Sequence, residues 1–384
     1  MRVLHVQRVS GIGGSERHLL GLLPALVARG IDARMYVLAT GDAHRFVDAV
    51  AATGVPVTTV PAGPDVNPLA LARLVRELRA ARPDLVHTHL LHADTLGQPA
   101  ARLCSVAAVS SFHACPPFYD RPPIRQVARL VGRMPRLTIA ISEHLGRYLV
   151  DRGLTPADRV RVIHYGMDAS GWRLPDPDRD AERARLGIGA GELVVGVSSR
   201  LVPEKGHADL IHAMGVAVQS DDRLHLLVAG DGPLRADLER RAAAILPAGS
   251  YEFLGFVDDI RAFMNACDVF AFPTTPDFGE GFGLAALEAS ATGRPIVGTA
   301  VGPIPEVVAD GESGRVVPPR SPSALAEAIL QLAGDDGLRR RLGDGAARRA
   351  RDVFGLDRMV DRTVDVYQEA LRSGGVDAED GAAQ

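Results

Sequence analysis

The stretch "FGEGFGLAALEASATGRPIVG", residues 278–298, decides the reading of the chain. An apolar helix over 284–291 is entered through glycines and followed at once by a strand over 295–298. That is one step of a βαβ rhythm. Two acids flank the helix start, Glu280 before it and Glu288 inside it. Gly281 and Gly283 strip side chains from the backbone between them, so a ligand can approach the main chain. The amides of Gly281, Phe282, Gly283 and Leu284 are donors at a helix start, suited to phosphate. Glu288 sits about four residues in, roughly 6 Å along the axis. A carboxylate there can take two adjacent hydroxyls of a ribose. Glu280 reaches the other way, toward whatever hangs from the distal phosphate. Acids beside phosphates repel them, and make sense if each one binds hydroxyls. An acidic helix N-terminus favouring the dipole is the plainer reading, but Glu288 lies too far in to serve it.

Outward from this stretch the same rhythm repeats. Strands fit residues 3–6, 34–38, 55–60, 85–88, 107–111, 137–141 and 160–163, with helices between most of them. The segment 69–81 carries Leu71, Leu74, Val75 and Leu78 on one face. A Pro/Asp/Arg-rich stretch, "WRLPDPDRDAERARL", reads as a linker, and its Asp176 and Asp178 read as linker rather than as a metal motif. The rhythm restarts with strands over 193–198, 224–229, 251–253 and 269–272 and helices over 207–216 and 233–244. Helices over 322–332 and 356–371 close the chain. The tail "SGGVDAEDGAAQ", residues 373–384, is expected to be disordered. Two doubly wound α/β domains follow, 1–168 and 187–358. In such folds ligands meet the carboxyl ends of the strands, so two facing sheets put the expected site in the cleft between them.

Three further segments carry chemistry. "SGIGGSERHLLGLL" follows the first strand and brings Gly13 and Gly14 to a helix start. Glu16 stands where a dinucleotide fingerprint has its third glycine, and Ser15 reads equally as an N-cap. "GVSSRLVPEKGHADL" puts Arg200 and Lys205 in one strand-to-helix loop, a fork and a point charge suited to a diphosphate; two solvated surface cations are the bland alternative. "VHTHLLH" sets His87 and His89 on one strand face with His92 beyond, but no Cys or paired carboxylate completes a metal site. His113 ends a strand on the rim of the glycine turn. In "PPIRQVARLVGRMPR", Arg125, Arg129 and Arg133 form a basic stripe beside Ile124, Val127, Leu130, Val131 and Met134. That helix is either an ordinary amphipathic surface helix or a contact with an anionic membrane surface.

The bulk properties set bounds. Hydrophobic residues make up 46% and charged residues 23% of 384, enough to fill two or three cores. Cys104, Cys115 and Cys267 are scattered, which argues for a reducing compartment and against a disulfide framework. The opening "MRVLHVQRV" reads as a strand and not as a signal segment. Residues 1–168 hold 20 Lys/Arg against 13 Asp/Glu, while the remainder holds 23 against 34. The first half is therefore expected to face something anionic, or the asymmetry is compositional drift. No nucleic-acid partner is expected.

Together these motifs resemble the retaining glycosyltransferases of family 4, which have the GT-B fold. "GGSERHLLGLL", "VHTHLLHADTLG", "SFHA", "AISEHL", "VIHYGMD", "SRLVPEKG", "LLVAGDGPLRADL" and "FLGFVDD" precede the opening stretch in the family's order. The Glu280/Glu288 pair matches its E-x7-E signature. The resemblance implies a nucleoside-diphosphate sugar as donor, with Arg200 and Lys205 on the diphosphate and no divalent metal. It implies Gly13 and Gly14 near the phosphates, Glu288 on the ribose, Glu280 and His113 at the donor sugar, and Phe256 and Val257 beside the base. It also implies a last helix, about 359–372, returning to the first domain, and transfer with retention to an acceptor hydroxyl. The acceptor is open: a small glycoside, a natural product or a lipid-linked glycan, contacted mainly by first-domain loops such as residues 114–120. The expected setting is the cytoplasm or, through peripheral contact, the inner membrane face. Pro303 and Ser290 depart from the family's usual glycine and methionine without removing a polar group. A nucleotide-sugar 2-epimerase on the same fold, or a sugar-nucleotide-binding scaffold without turnover, are the rival readings.

Overall fold

The computed structural model describes residues 1–63, 67–114, 117–277 and 279–372. Two units divide the chain: Met1–Gly166 together with the segment from Leu356, and Met167–Gly355.

The first unit alternates strand and helix: β1 (Arg2–Val9), α1 (Gly14–Ala28), β2 (Asp32–Ala39), α2 (Ala43–Ala52), β3 (Val57–Pro61), α3 (Pro68–Ala81), β4 (Leu85–His89), α4 (Leu90–Leu103), β5 (Ala107–Phe112), α5 (Pro122–Val131), β6 (Leu137–Ala140), α6 (Glu143–Asp151) and β7 (Val160–Val162). Local chemistry sets the helix ends. Asn67 caps α3, its side chain accepting from the Leu69 and Ala70 amides, with Pro68 opening the first turn. Ser142 caps α6 in the same way through the Leu145 amide at 3.1 Å. The sheet runs β3-β2-β1-β4-β5-β6-β7 with parallel pairings, so the topological switch point lies between β1 and β4.

Alternation divides this sheet cleanly. Leu4, Val6 and Val86 pack with Leu74, Leu78 and Leu96 of α3 and α4. Val3, Val9, Leu85 and Val109 pack on the other face with Leu19 and Leu23 of α1. The last helix of the unit, Leu356–Arg372, joins that second face through Met359, Val360 and Tyr367. Toward the carboxyl ends of the central strands the same face turns polar: His5 and Gln7, His87 and His89, Ser111 and His113, all buried. His5 stands in register with His87, and His89 with Ser111.

The second unit opens with α7 (Asp176–Arg185) and continues through β8 (Leu193–Ser198), α8 (His207–Ser220), β9 (Leu224–Ala229), α9 (Arg235–Ile245), β10 (Tyr251–Gly255), α10 (Ile260–Ala266), β11 (Val269–Phe272), α11 (Leu284–Ala291), β12 (Ile296–Thr299), α12 (Ile304–Val307), β13 (Gly314–Val317), α13 (Pro322–Gly334) and α14 (Asp336–Asp352). The final helix above is α15. This sheet runs β10-β9-β8-β11-β12-β13, again parallel, with its switch point between β8 and β11. Val195, Val197, Leu226, Val228, Val269 and Val297 fill its core with residues of α8, α9, α13 and α14.

The segment read as a linker is instead α7. Its anchors are charged, so no apolar stripe announces it. Arg179 and Arg183, one turn apart, both bind Asp268, at 2.7 and 3.0 Å. Arg183 also donates to the carbonyls of Ala266 and Glu192. Asp176 and Asp178 lie in its first turn, where they complement the helix dipole. Helix α14 went unread for a related reason. Its inner face includes Gly343, Gly345 and Ala346, and backbone carbonyls press against the first two: a Cβ on Gly343 would stand 2.2 Å from the Gly293 oxygen. Residues 373–384, expected to be a disordered tail, lie outside the described residues.

Candidate functional site

In the second unit the predicted residues gather at the carboxyl edge of the sheet. The loop after β8 carries Arg200 and Lys205. Lys205 Nζ lies 2.6 Å from Glu280 Oε2, with both side chains mostly buried. The same ammonium stands 5.7 Å from the centre of the Phe272 ring. Arg200 is more exposed and sits 3.8 Å from Glu204. A tight turn holds this loop against β11. Gly206 takes φ +67°, and a Cβ there would stand 1.9 Å from the Pro273 carbonyl oxygen, so only glycine fits. Thr275 donates its amide to the Glu204 carbonyl at 2.9 Å, tying the loop to the segment that leads to Glu280. His207 opens α8 with Nε2 3.1 Å from Ser199 Oγ. Burial, and then the Lys205 charge, push its pKa down to about 4, so it is neutral at pH 7.

Gly283 precedes α11 with φ +92° and acts as its N-cap residue. The Phe282 side chain is buried edge-on against Phe354, ring centres 5.6 Å apart, which leaves its backbone as the part that can meet a ligand. Glu288 is buried one turn along α11. Phe256 follows β10 and is 77% exposed as a residue, leaving a surface on which a planar base could stack, and Val257 beside it is half-buried. Phe278 lies outside the described residues.

In the first unit the glycine turn differs from its expected form. Helix α1 starts at Gly14, and its N-cap is Gly13, not Ser15. The Gly13 amide donates to Glu16 Oε2 at 2.9 Å, and Gln7 Nε2 donates to the other oxygen of that carboxylate at 2.6 Å. Glu16 stands in place of a fingerprint glycine because its carboxylate caps the helix. Ser15 instead donates to Glu16 at 3.1 Å.

His113 lies just past β5 with both ring nitrogens engaged: Nε2 is 3.0 Å from His89 Nδ1, and Nδ1 is 2.5 Å from the Tyr165 hydroxyl. His18 stacks on Tyr165, ring centres 4.4 Å apart. His5, His18 and Tyr165 escaped the sequence reading. The signal available was alternation, since His5 occupies on β1 the place that His87 occupies on β4. Leu90 takes φ +69° directly after His89, a strained conformation at the switch point.

Ligand atoms of His5, His87 and His89 come within 4.8 Å of one another. However, His87 uses both nitrogens, on the Tyr367 hydroxyl and on Ser111 Oγ, each at 2.7 Å. His92, grouped with these histidines by sequence, lies beyond them in α4.

The basic stripe on α5 is partly occupied. Arg129 donates through Nε and Nη2 to the Arg152 carbonyl, while Val127 and Leu130 stay exposed. Residues 115 and 116 of the expected acceptor loop lie outside the described residues. Among the described residues, Cys104 and Cys267 are free thiols, and no helix is long and apolar enough to cross a membrane.

Comparison with known proteins gives two family matches: Glycosyltransferase Family 4 over residues 12–170 and Glycosyl transferases group 1 over residues 178–349. A D-inositol 3-phosphate glycosyltransferase of Streptomyces bingchenggensis is 30% identical, over 96% of this chain and 87% of that one. Anabaena Alr3699/HepE, solved in complex with UDP-glucose, superposes with a TM-score of 0.83 at 25% identity, over 97% of this chain and all of that one. Sucrose-phosphate synthase from Thermosynechococcus elongatus shares the fold with a TM-score of 0.78 at 21% identity, over 97% and 99% of the two chains.

Proposed function

The chain belongs to glycosyltransferase family 4, and from that premise we propose that it moves a sugar from a nucleoside-diphosphate sugar to an acceptor hydroxyl with retention of configuration. The observation that carries this reading is the Lys205–Glu280 contact at the carboxyl edge of the second sheet, beside the glycine-led start of α11. A cation for phosphate and a carboxylate for hydroxyls stand 2.6 Å apart, where a sugar phosphate presents both.

In this reading Arg200, Lys205 and the amides of residues 281–284 take the diphosphate. Glu288 takes the ribose, Phe256 and Val257 the base, and Glu280 the donor-sugar hydroxyls. By the family resemblance, His113 is proposed to contact the donor sugar, and Gly13 and Gly14 the phosphates. The bond from the anomeric carbon to the phosphate oxygen breaks as the acceptor oxygen bonds to that carbon on the same face. The acceptor proton passes to the leaving phosphate oxygen. Lys205 and Arg200 carry the charge that develops there, so no divalent metal is required.

HepE was solved with UDP-glucose, which makes UDP-sugars the first donors to try. The relatives act on D-inositol 3-phosphate by their names, and a phosphate-bearing acceptor suits the 20 Lys/Arg against 13 Asp/Glu of residues 1–168. The proposed setting is the cytoplasm, where α5 would supply any peripheral membrane contact.

The test is a thermal-shift panel of nucleoside diphosphates and their sugars with chelator present, followed by NMR of the product anomer. One nucleotide is expected to raise Tm, by about 2.7 kcal/mol of stability at 100 times its Kd. No shift from any of them would remove the donor site. A product with inverted configuration would remove retention. Interconversion of the donor sugar would turn the reading to epimerisation.

A further inference from the structure

On the polar face of the first sheet, four side chains join end to end. His5 Nδ1 is 3.0 Å from His89 Nε2, His89 Nδ1 is 3.0 Å from His113 Nε2, and His113 Nδ1 is 2.5 Å from the Tyr165 hydroxyl. The rings stay near-parallel along the way, at 10° between His5 and His89 and 24° between His89 and His113, as suits in-plane ring hydrogen bonds. Burial keeps all three imidazoles neutral at pH 7. A neutral imidazole has one N–H and one lone-pair nitrogen. Each contact uses one of each, so the whole chain points in a single direction.

His5 decides which direction. Its Nε2 is buried with no hydrogen-bond partner. If the chain ran toward His5, the proton would sit on that nitrogen as a buried donor with nothing to accept it. If the chain runs away from His5, Nε2 carries only an unused lone pair. Orphaned buried N–H groups are the rarer and costlier defect. The proton therefore belongs on His5 Nδ1, and the choice propagates: His89 and His113 also carry theirs on Nδ1. His113 accepts from His89 and donates to Tyr165.

We propose that His89 is a positioning residue for His113, holding it as the Nδ1–H tautomer, so that a donor-sugar oxygen meets His113 as an acceptor in place of Tyr165. This rests on the reading of His113 in the donor-sugar pocket. It goes further by naming the atom, the direction of the bond and the residue that sets it.

Two measurements test it on the full chain. Long-range proton–nitrogen NMR of the ¹⁵N-histidine-labelled protein reads each tautomer directly. Nδ1–H is expected for His5, His89 and His113. Nε2–H on His113, or one equivalent of zinc bound by the chain, overturns the proposal. In the second measurement, His89→Leu is expected to lower kcat about tenfold, the scale of one hydrogen bond, and to free His113 to change tautomer. His89→Asn, whose amide can still donate to His113, is expected to restore both. An unchanged tautomer and kcat in His89→Leu sinks the positioning role. If that variant does not fold, the NMR of the unsubstituted chain still decides. Nδ1–H signals in a chain that binds no nucleoside diphosphate would refute the donor reading alone. Nε2–H signals in a chain that transfers sugar would refute the histidine chain alone.

Discussion

On β1 and β4 the first sheet buries His5, Gln7, His87 and His89 where β8 and β11 of the second bury Val195, Val197, Val269 and Ala271, although both sheets have the same strand order around the switch point. In the second unit apolar side chains fill that face, and the proposed donor-binding residues sit in loops at the strand ends. In the first unit polar groups reach into the core and must be satisfied there by one another. Tyr367 on α15 closes one branch of that network through His87, and Tyr165 closes another through His113. On the proposed reading, one fold builds its site in two ways: loops on an apolar frame in the second unit, and a polar interior in the first.

Acid should separate the two most sharply. His5, His87, His89 and His113 are buried, and burial lowers all four pKa values, His5 to about 3 from the ordinary 6.5. The unfolded chain binds protons that the folded one refuses. The stability these groups give is therefore full above 6.5 and is lost as pH falls below it, by up to about 1.4 kcal/mol per histidine per pH unit. The charged and titratable neighbours are His18 and Glu16 on α1, Tyr165 and Tyr367; His18 adds to the effect. Asp94, buried on the opposite face and raised to about 6, works against it, since its proton is held more tightly when folded. Hydrogen exchange at pH 5.5 should show the first unit losing more protection than the second, where the buried His207 acts in the same direction. Equal protection of both units would erase the contrast.

A substitution in the second unit should come next in size. Asp268→Ala leaves Arg179 and Arg183 without their buried carboxylate and should cost about 3–5 kcal/mol, read by urea unfolding. A loss under 1 kcal/mol would mean that α7 is held by packing after all. Lys205→Ala should lower kcat on the order of 10²–10³-fold with folding unchanged, since the cation acts at a loop and not in the core. Glu280→Ala should abolish transfer while nucleoside diphosphate affinity holds or rises, because Lys205 is released from its 2.6 Å partner. Parallel loss of both would show that Glu280 orders the loop instead. Phe256→Ala should be the mildest, weakening nucleotide binding by about 1 kcal/mol without moving Tm, as expected for an exposed ring.

The contrast also explains what was legible in the sequence. Two doubly wound units followed from β-branched runs alternating with apolar stripes, while the strand orders and switch points came only with the structure. Lys205 and Glu280 were singled out from separate loop motifs, and the structure brings them to 2.6 Å of each other. Helix α7 was not legible, because it docks through Arg179 and Arg183, and charge at i, i+4 looks like a solvated face. Helix α14 was not, because Gly343 and Gly345 pack backbone against backbone. The histidine chain through His113 was hidden for a third reason. His5, His89 and Tyr165 lie on three separate elements, and only the register of β1 against β4 brings the first two together. Pattern within a segment is visible; pattern across segments has to be folded first.

Helix α15 gives the first unit an unusual life history. A ribosome delivers β1 to β7 early, then all of the second unit, and only then the segment from Leu356 that carries Met359, Val360 and Tyr367. The second unit is one unbroken length of chain and can complete its core as soon as it has emerged. The first must wait, with one face of its sheet lacking its last helix and His87 lacking the Tyr367 hydroxyl, through the synthesis of nearly two hundred further residues. The unit whose strands are made before the second unit is finished only after the second is complete.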